Sequence, residues 1–319
     1  MAKTVGFAEA FVDPRLGTNE TLRRIDGLVD WSVLEPLARK IRPGQTGRPP
    51  YAALSMLKAL LLQAMYDLSD PGLEAQLLDR VSFRQFCGWD LSERTPDETT
   101  ILRFRQEAAE AGVLEAAFLA INAQLDAKGL MLKRGTLLDA TLITARHNPS
   151  RGEGSIAGGG VAREPDANWT KKNGKAYFGY KLHVGMDQGS GLVRSAVMTP
   201  AKTSDIEMAE RLILGDEKAV LADKGYCKKA LSAKLKAAGI RPLIAYRRHN
   251  NERELSSSKI RRNNYIARFR APVEGVFSQA KRLYGQARAR CWTLQRNQAR
   301  AFAVLIAFNL KRATKLIPA

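Results

Sequence analysis

The sequence predicts an α/β protein: a mixed sheet flanked by helices, preceded by an all-helical N-terminal domain and closed by a C-terminal helix. Two observations carry this division. The first ~130 residues read as helical, with runs such as Ala52 to Met65 dense in Leu, Ala and Met. From Gly135 the pattern changes to short β-rich runs, which later alternate with helical ones.

In the N-terminal part, Asp30-Trp31-Ser32-Val33-Leu34-Glu35 places Glu three residues after Ser, as in a capping box. The segment 42–50 is rich in Pro and Gly and reads as a connection. Ala52 to Met65 is a buried helix and Leu73 to Leu78 begins another, while Phe83, Phe86 and Trp89 pack around a turn. Thr95 to Thr100 resembles a helix start leading into Ile101, Phe104, Leu114, Phe118, Ile121 and Leu125. Such a module serves to bind DNA, to self-associate or to brace its neighbour. Arg80, Arg84, Arg103 and Arg105 support the first use only weakly, since scattered arginines are common.

Beyond it, Thr136 to Ile143, Tyr177 to Met186 and Leu192 to Met198 read as strands, the last two joined as a hairpin through Asp187 to Gly191. Ile206 to Leu214 suits a helix, Lys218 to Leu221 a buried strand, Lys228 to Ala238 a basic helix ended by Gly239, and Pro242 to Tyr246 a further strand. Three neighbouring strands followed by this alternation form the pattern of a ribonuclease-H-like core. The expected organisation is therefore a helical domain at 1–130 and a ribonuclease-H-like domain at 131–319. Within the latter, 148–174 is a Gly-rich mobile loop, His249 to Asn264 a basic loop, and Arg300 to Leu316 a terminal helix.

Composition narrows the function classes. Hydrophobic content of 45% and aromatic content of 7% fit a folded chain. The longest apolar run, Leu54 to Met65, is interrupted by Lys58 and Gln63, so no membrane partner is expected. The start lacks a signal peptide's apolar stretch, which makes the cytoplasm the expected location. Cys87, Cys227 and Cys291 are dispersed and the three histidines form no ligand-spaced cluster, which argues for free thiols and against structural zinc. The net charge is +19, and it is uneven: from Arg241 onward 18 Lys and Arg face three acids, +15 over 79 residues. So concentrated an excess reads as a phosphate-tracking surface with salt-sensitive binding.

Against that background three carboxylates stand out. Asp139 follows the apolar run Thr136-Leu137-Leu138, sharing a strand face with Leu137 and Thr141. Asp223 ends a second apolar run and precedes Gly225, which permits a sharp turn. Glu274 follows Pro272, which suits a helix's first turn, and shares a helical face with Ser278 and Lys281. Acids from adjacent strand ends would meet at one sheet edge, where hard divalent ions accept carboxylate, water and phosphate oxygens. Taken singly, an Asp after a strand is more often a cap, and a Glu in a first turn more often serves the helix dipole.

Local sequence adds weight. Leu137-Leu138-Asp139-Ala140-Thr141, Gly179-Tyr180-Lys181-Leu182-His183, Ala222-Asp223-Lys224-Gly225-Tyr226 and Arg270-Ala271-Pro272-Val273-Glu274-Gly275-Val276-Phe277, in this order, resemble the catalytic domain of bacterial insertion-sequence transposases with an Asp-Asp-Glu triad. The helical part is similar to that family's N-terminal domain. The resemblance implies that Asp139, Asp223 and Glu274 are the catalytic metal ligands, for two Mg²⁺ ions, with Mn²⁺ an alternative. It also aligns Arg270 and Lys281 with the Arg and Lys of the family signature, as phosphate or terminal-base contacts. The signature's Tyr falls at Ala267, two residues from Tyr265. The 50 residues between Asp223 and Glu274 leave no room for the inserted β-domain of some relatives.

The activity implied is recognition of terminal inverted repeats, phosphodiester hydrolysis to release a 3′-hydroxyl, and transfer of that hydroxyl onto target DNA. Double-stranded DNA is then the partner, with a homodimer at least when DNA is bound and association with the bacterial nucleoid. Lys181, His183, Lys224, Tyr226, Arg247, Arg248, Arg261, Arg262 and Arg282 are further expected DNA contacts. Trp169 and Trp292 are candidates for base stacking or for the core. Two rival readings share the fold: a metal-dependent nuclease without strand transfer, and a non-catalytic DNA-binding regulator.

Overall fold

The computed structural model describes residues 17–41, 51–147, 164–172, 174–248 and 254–317, with the side chains of 270–272 outside that set. The chain forms two compact units, one comprising 1–128 with 302–319 and the other 129–301. The terminal helix, expected with the second domain, thus contributes its later part to the first unit. No helix among the described residues is long and apolar enough to cross a membrane.

The first unit is helical, and its helices start where the sequence supplies side-chain acceptors. Asn19 caps α1 (Glu20–Leu28) by accepting from the Leu22 N–H at 3.1 Å. A 3₁₀ turn at Trp31–Leu34 leads into α2 (Glu35–Arg39). Its cap is Asp30, which accepts from both the N–H and the hydroxyl of Ser32. The expected Ser32 cap is displaced because an ionised carboxylate is the stronger acceptor, so the hydroxyl becomes a donor.

Next, α3 (Ala53–Met65) is buried along most of its length, including Lys58, whose ammonium lies 2.7 Å from Asp26 and 4.4 Å from the Trp31 ring centroid. Then come α4 (Asp70–Asp79) and α5 (Val81–Cys87), which carries Phe83 and Phe86 on a helix where a turn was expected. Asp97 opens α6 (Glu98–Glu110) by accepting from Thr100 at 2.7 Å, and α7 (Val113–Ala127) follows. The last helix of the chain spans Leu294–Leu316 and packs Phe302 on Phe118 and Asn309 on Asn122, the two amides 2.9 Å apart. The connection at 42–50 lies outside the described residues.

The second unit is built on a six-stranded mixed sheet. Its strands are β1 (Thr136–Thr144), β2 (Asn168–Lys172), β3 (Lys175–Asp187), β4 (Val193–Pro200), β5 (Ala219–Ala222) and β6 (Arg241–Ile244). β3 pairs antiparallel with β1 and β4, while β5 runs parallel to β1 and β6 parallel to β5. The spatial order β4-β3-β1-β5-β6 is the ribonuclease-H-like arrangement. β2 pairs with the first half of β3. It falls inside the stretch expected as a loop at 148–174. Residues 148–163 lie outside the described set, but 168–172 gain ladder hydrogen bonds and become a strand. Where the pairing of β3 passes from β2 to β1 and β4, Gly179 has φ +154 and a Cβ there would collide with the Ile143 carbonyl oxygen. Only glycine allows so close an approach.

One face of the sheet is covered by α8 (Asp205–Leu212) and α9 (Lys229–Ala237). Leu138, Val220, Ala222 and Ile244 join Ala209, Leu212, Leu231 and Leu235 in a single buried cluster there. The long helix α10 (Ser257–Leu283) packs against β1, β5 and β6 and contributes nothing to that cluster, so it covers the opposite face. Two expectations are corrected by it. The basic segment from Ser257 is helix rather than loop, with 249–253 outside the described residues. Pro272 is inside α10 rather than at its start, because the apolar stripe Ile266, Val273, Val276, Phe277, Ala280 and Tyr284 keeps a helical period across it.

Candidate active site

The alternation of β1 decides where Asp139 points. Leu138 belongs to the cluster under α8 and α9, so Asp139 stands on the other face, the one α10 covers. The same holds on β5, where Val220 and Ala222 enter that cluster and Asp223 continues the strand in extended conformation (φ −73°, ψ 170°) on the opposite face. The parallel register pairs Leu138 with Ala222. Asp139 and Asp223 are each the next residue, and so sit side by side on neighbouring strands, whose backbones run about 4.8 Å apart.

Both carboxylates are half-buried and anchored to the main chain. Asp139 Oδ1 accepts from the Ala140 N–H at 2.8 Å, and Asp223 Oδ1 accepts from the Gly225 N–H at 2.6 Å. The second bond turns β5 sharply into the 3₁₀ turn Lys224–Tyr226. Glu274 is exposed, on the flank of the buried stripe of α10. Among the described residues no three His, Cys, Asp or Glu side chains stand close enough to hold one metal ion. The structure therefore brings Asp139 and Asp223 together and leaves Glu274 outside a closed cluster.

The expected DNA contacts separate into three groups. Lys224, Arg247, Arg248, Arg261 and Arg282 are exposed, and Lys281 and Arg262 are half-buried. Lys281 loses its proton more readily than an ordinary lysine, first because it is buried and second because the Lys172 ammonium is near. Arg270 is on α10, its side chain outside the described set.

The remaining three are engaged within the second unit. Tyr226 is 1% exposed and packs in the cluster under α8 and α9, so its ring serves the core. Lys181 and His183 oppose Leu142 and Ala140 in the β1–β3 ladder. They stand on the α8 face, with the sheet between them and Asp139. Lys181 donates to the Thr203 carbonyl at 2.7 Å and meets Asp205 at 2.9 Å. His183 is fully buried, with Nε2 2.9 Å from the Thr199 hydroxyl and Nδ1 3.7 Å from Asp205. Burial pushes its pKa down to about 4, Asp205 opposing and Lys181 reinforcing the shift.

The two tryptophans expected to stack on bases or to pack in the core are both partly exposed. Arg146 lies 4.6 Å over the Trp292 ring, which is 37% exposed, and Trp169 packs on Phe178 while 38% exposed. Tyr246, expected at a strand end, lies two residues past β6 and is held by side chains of α10. Its place within a run of basic residues was the signal available.

Residues 131–310 match the family described as "Transposase DDE domain", and this span contains Asp139, Asp223 and Glu274. The chain belongs to the DDE transposase family. A second match, "Transposase domain (DUF772)", covers residues 11–107 of this transposase. Among solved structures, that of the piggyBac transposase synaptic complex with hairpin DNA is similar at a TM-score of 0.41 and 11% identity, over 94% of this chain and 77% of that one.

Proposed function

We propose that this transposase recognises the terminal inverted repeats of an insertion element, hydrolyses a phosphodiester to release a 3′-hydroxyl, and joins that hydroxyl to target DNA. The observation that carries the reading is the parallel β1–β5 register, which sets Asp139 and Asp223 side by side within the matched DDE domain. Two oxygen donors fixed on neighbouring strands suit a hard cation such as Mg²⁺ or Mn²⁺. Divalent ions bound there supply activation of the attacking oxygen and stabilisation of the leaving one. Asp139 and Asp223 would hold them, and Glu274 completes the ligand set by turning inward from the flank of α10.

The protein's own part is positioning. Main-chain anchors fix the two aspartates before substrate arrives, which spares reorganisation during reaction. Lys224, next to Asp223 in the chain, and Arg282 of α10 offer exposed cationic contacts for DNA phosphates, and the half-buried Lys281 adds a third. The helical region at 1–130 supplies DNA-end recognition or self-association. Two transposon ends held together call for at least a dimer on DNA.

The test uses a labelled terminal-repeat duplex with target DNA and Mg²⁺. Asp139→Ala is expected to abolish cleavage and strand transfer while leaving DNA affinity within about two-fold. Undiminished cleavage by that variant overturns the assignment, and cleavage without joined product by the wild type favours the plain nuclease.

A further inference from the structure

We infer that Tyr246, with Lys259 and Arg262 of α10, forms a subsite that stacks an unpaired nucleotide of the DNA flanking the reaction centre. The inference rests on the transposase reading above and adds a residue to it that no sequence motif marked.

The position follows from the sheet. β6 is parallel to β5 with Ala222 paired to Ile244, and the Ala245 N–H donates to the Ala222 carbonyl at 3.0 Å. Ala245 is thus level with Asp223, and Tyr246 is one residue beyond, at the same carboxyl-terminal edge as the two aspartates. Its main chain is clamped by one side chain. Asn263 accepts from the Tyr246 N–H at 2.8 Å and donates to the Tyr246 carbonyl at 3.1 Å. A loop residue just past a strand is thereby fixed in orientation independently of its own ring.

Tyr246 is 37% exposed and its ring has cations against it, the Arg262 guanidinium carbon 5.3 Å and the Lys259 ammonium 5.6 Å from its centroid. Arg262 is itself held by the Pro242 carbonyl at 2.6 Å, and none of the ion pairs among the described residues involves it. Arg247 and Arg248 follow directly, both exposed. An aromatic face fixed among cations and kept open to solvent matches the chemistry of a nucleic-acid strand, in which bases stack on rings and phosphates meet the charges. A purely structural tyrosine would bury its ring and bond its hydroxyl instead.

Tyr246 is beside the aspartates but not among them, one residue past the level of Asp223 and one strand farther from Asp139. The subsite therefore receives a nucleotide next to the reacting phosphate rather than that phosphate itself.

The experiment is carried out on the full chain in an Asp139→Ala background, where DNA is bound but not cut. Anisotropy is measured with a terminal-repeat duplex that is either blunt or carries a five-nucleotide single-stranded flank. Tyr246→Ala should weaken binding of the flanked DNA about ten-fold, the size of one aromatic stack, and leave blunt DNA within two-fold. Tyr246→Phe should restore the flanked affinity, since the ring rather than the hydroxyl does the stacking. Lys259→Ala should lower the salt slope of log K by about one, and Tyr246→Ala should leave it unchanged. Equal affinity of Tyr246→Ala and its parent for flanked DNA overturns the subsite alone. So does an equal loss on flanked and blunt DNA, which signals a general defect. Failure of the parent protein to bind either DNA overturns the subsite together with the transposase reading.

Discussion

Asp223 has two tasks that a pair of substitutions can separate. Its carboxylate accepts the Gly225 N–H at 2.6 Å and so holds the turn after β5, and its charge stands beside that of Asp139. Asn keeps an acceptor oxygen in the same place and removes the charge, whereas Ala removes both. A cap of this kind contributes about 1 kcal/mol, so Asp223→Ala should lower stability by about that amount. Two unit charges on neighbouring strands, half-exposed and screened nearly as in water, repel by about 1 kcal/mol at a separation of about 4 Å. Metal-free Asp223→Asn should therefore equal or exceed the wild type in stability, by up to about 1 kcal/mol.

With Mg²⁺ the order reverses. A ligand at one hundred times its dissociation constant stabilises the protein that binds it by about 2.7 kcal/mol, and Asp223→Asn lacks the charge needed to bind. The assay is chemical denaturation of the wild type and both variants, with and without Mg²⁺, beside cleavage of a terminal-repeat duplex. Both variants should lose cleavage. The reasoning is refuted if Asp223→Asn is less stable than wild type in EDTA by as much as Asp223→Ala, or if Mg²⁺ stabilises all three proteins equally.

Two further outcomes test the sheet that carries the site. His183 has its pKa depressed to about 4 against an unfolded value near 6.5, because its buried ring resists charge. A lowered pKa means that the unfolded chain binds the proton first. The stability associated with the neutral ring is then complete above pH 6.5 and is lost as pH falls toward 4, by about 3 kcal/mol at most. Asp205 and Lys181 are the charged groups facing it, and neither is altered in His183→Asn, whose denaturation midpoint should fall less steeply over that window; parallel slopes would remove His183 as the cause. Gly179→Ala should cost roughly 2 kcal/mol or more, since the new Cβ meets the Ile143 carbonyl in a backbone conformation unfavourable to side chains. An unchanged midpoint in denaturant would contradict that close approach.

The sequence made some of this visible and hid the rest for physical reasons. Strand and helix order in the second unit could be read because the apolar runs around Leu138, Val184 and Val220 are short, β-rich and separated by Gly-bearing turns. The facing of Asp139 could be read too, since period two ties it to Leu137 and away from Leu138. What stayed hidden depended on contacts distant in sequence. β2 carries Asn, Trp, Thr and two lysines, a composition without apolar alternation, and becomes a strand only through its pairing with β3. Tyr226 looks like a surface residue beside Lys224 and Gly225, yet the turn held by Asp223 swings it under α8 and α9. Lys181 and His183 were legible as a same-face pair, but which face was settled only by the register with Leu142 and Ala140.

The composition of α10 bears on what the chain is built to meet. Its 27 residues carry seven Lys and Arg and one acid, Glu274. Like charges at close spacing on a helix repel, and one carboxylate is too few to neutralise seven cations. The buried stripe from Ile266 to Tyr284 holds the helix on the sheet despite that repulsion. Nothing in folding rewards so one-sided a charge, whereas a polyanion laid along the helix neutralises it and releases counterions. An acid placed alone in that field would be a poor choice for gripping DNA and would weaken the grip locally. Under the proposed function, its presence on the helix that covers the Asp139 and Asp223 face is explained by a cation held between the carboxylates and the phosphate.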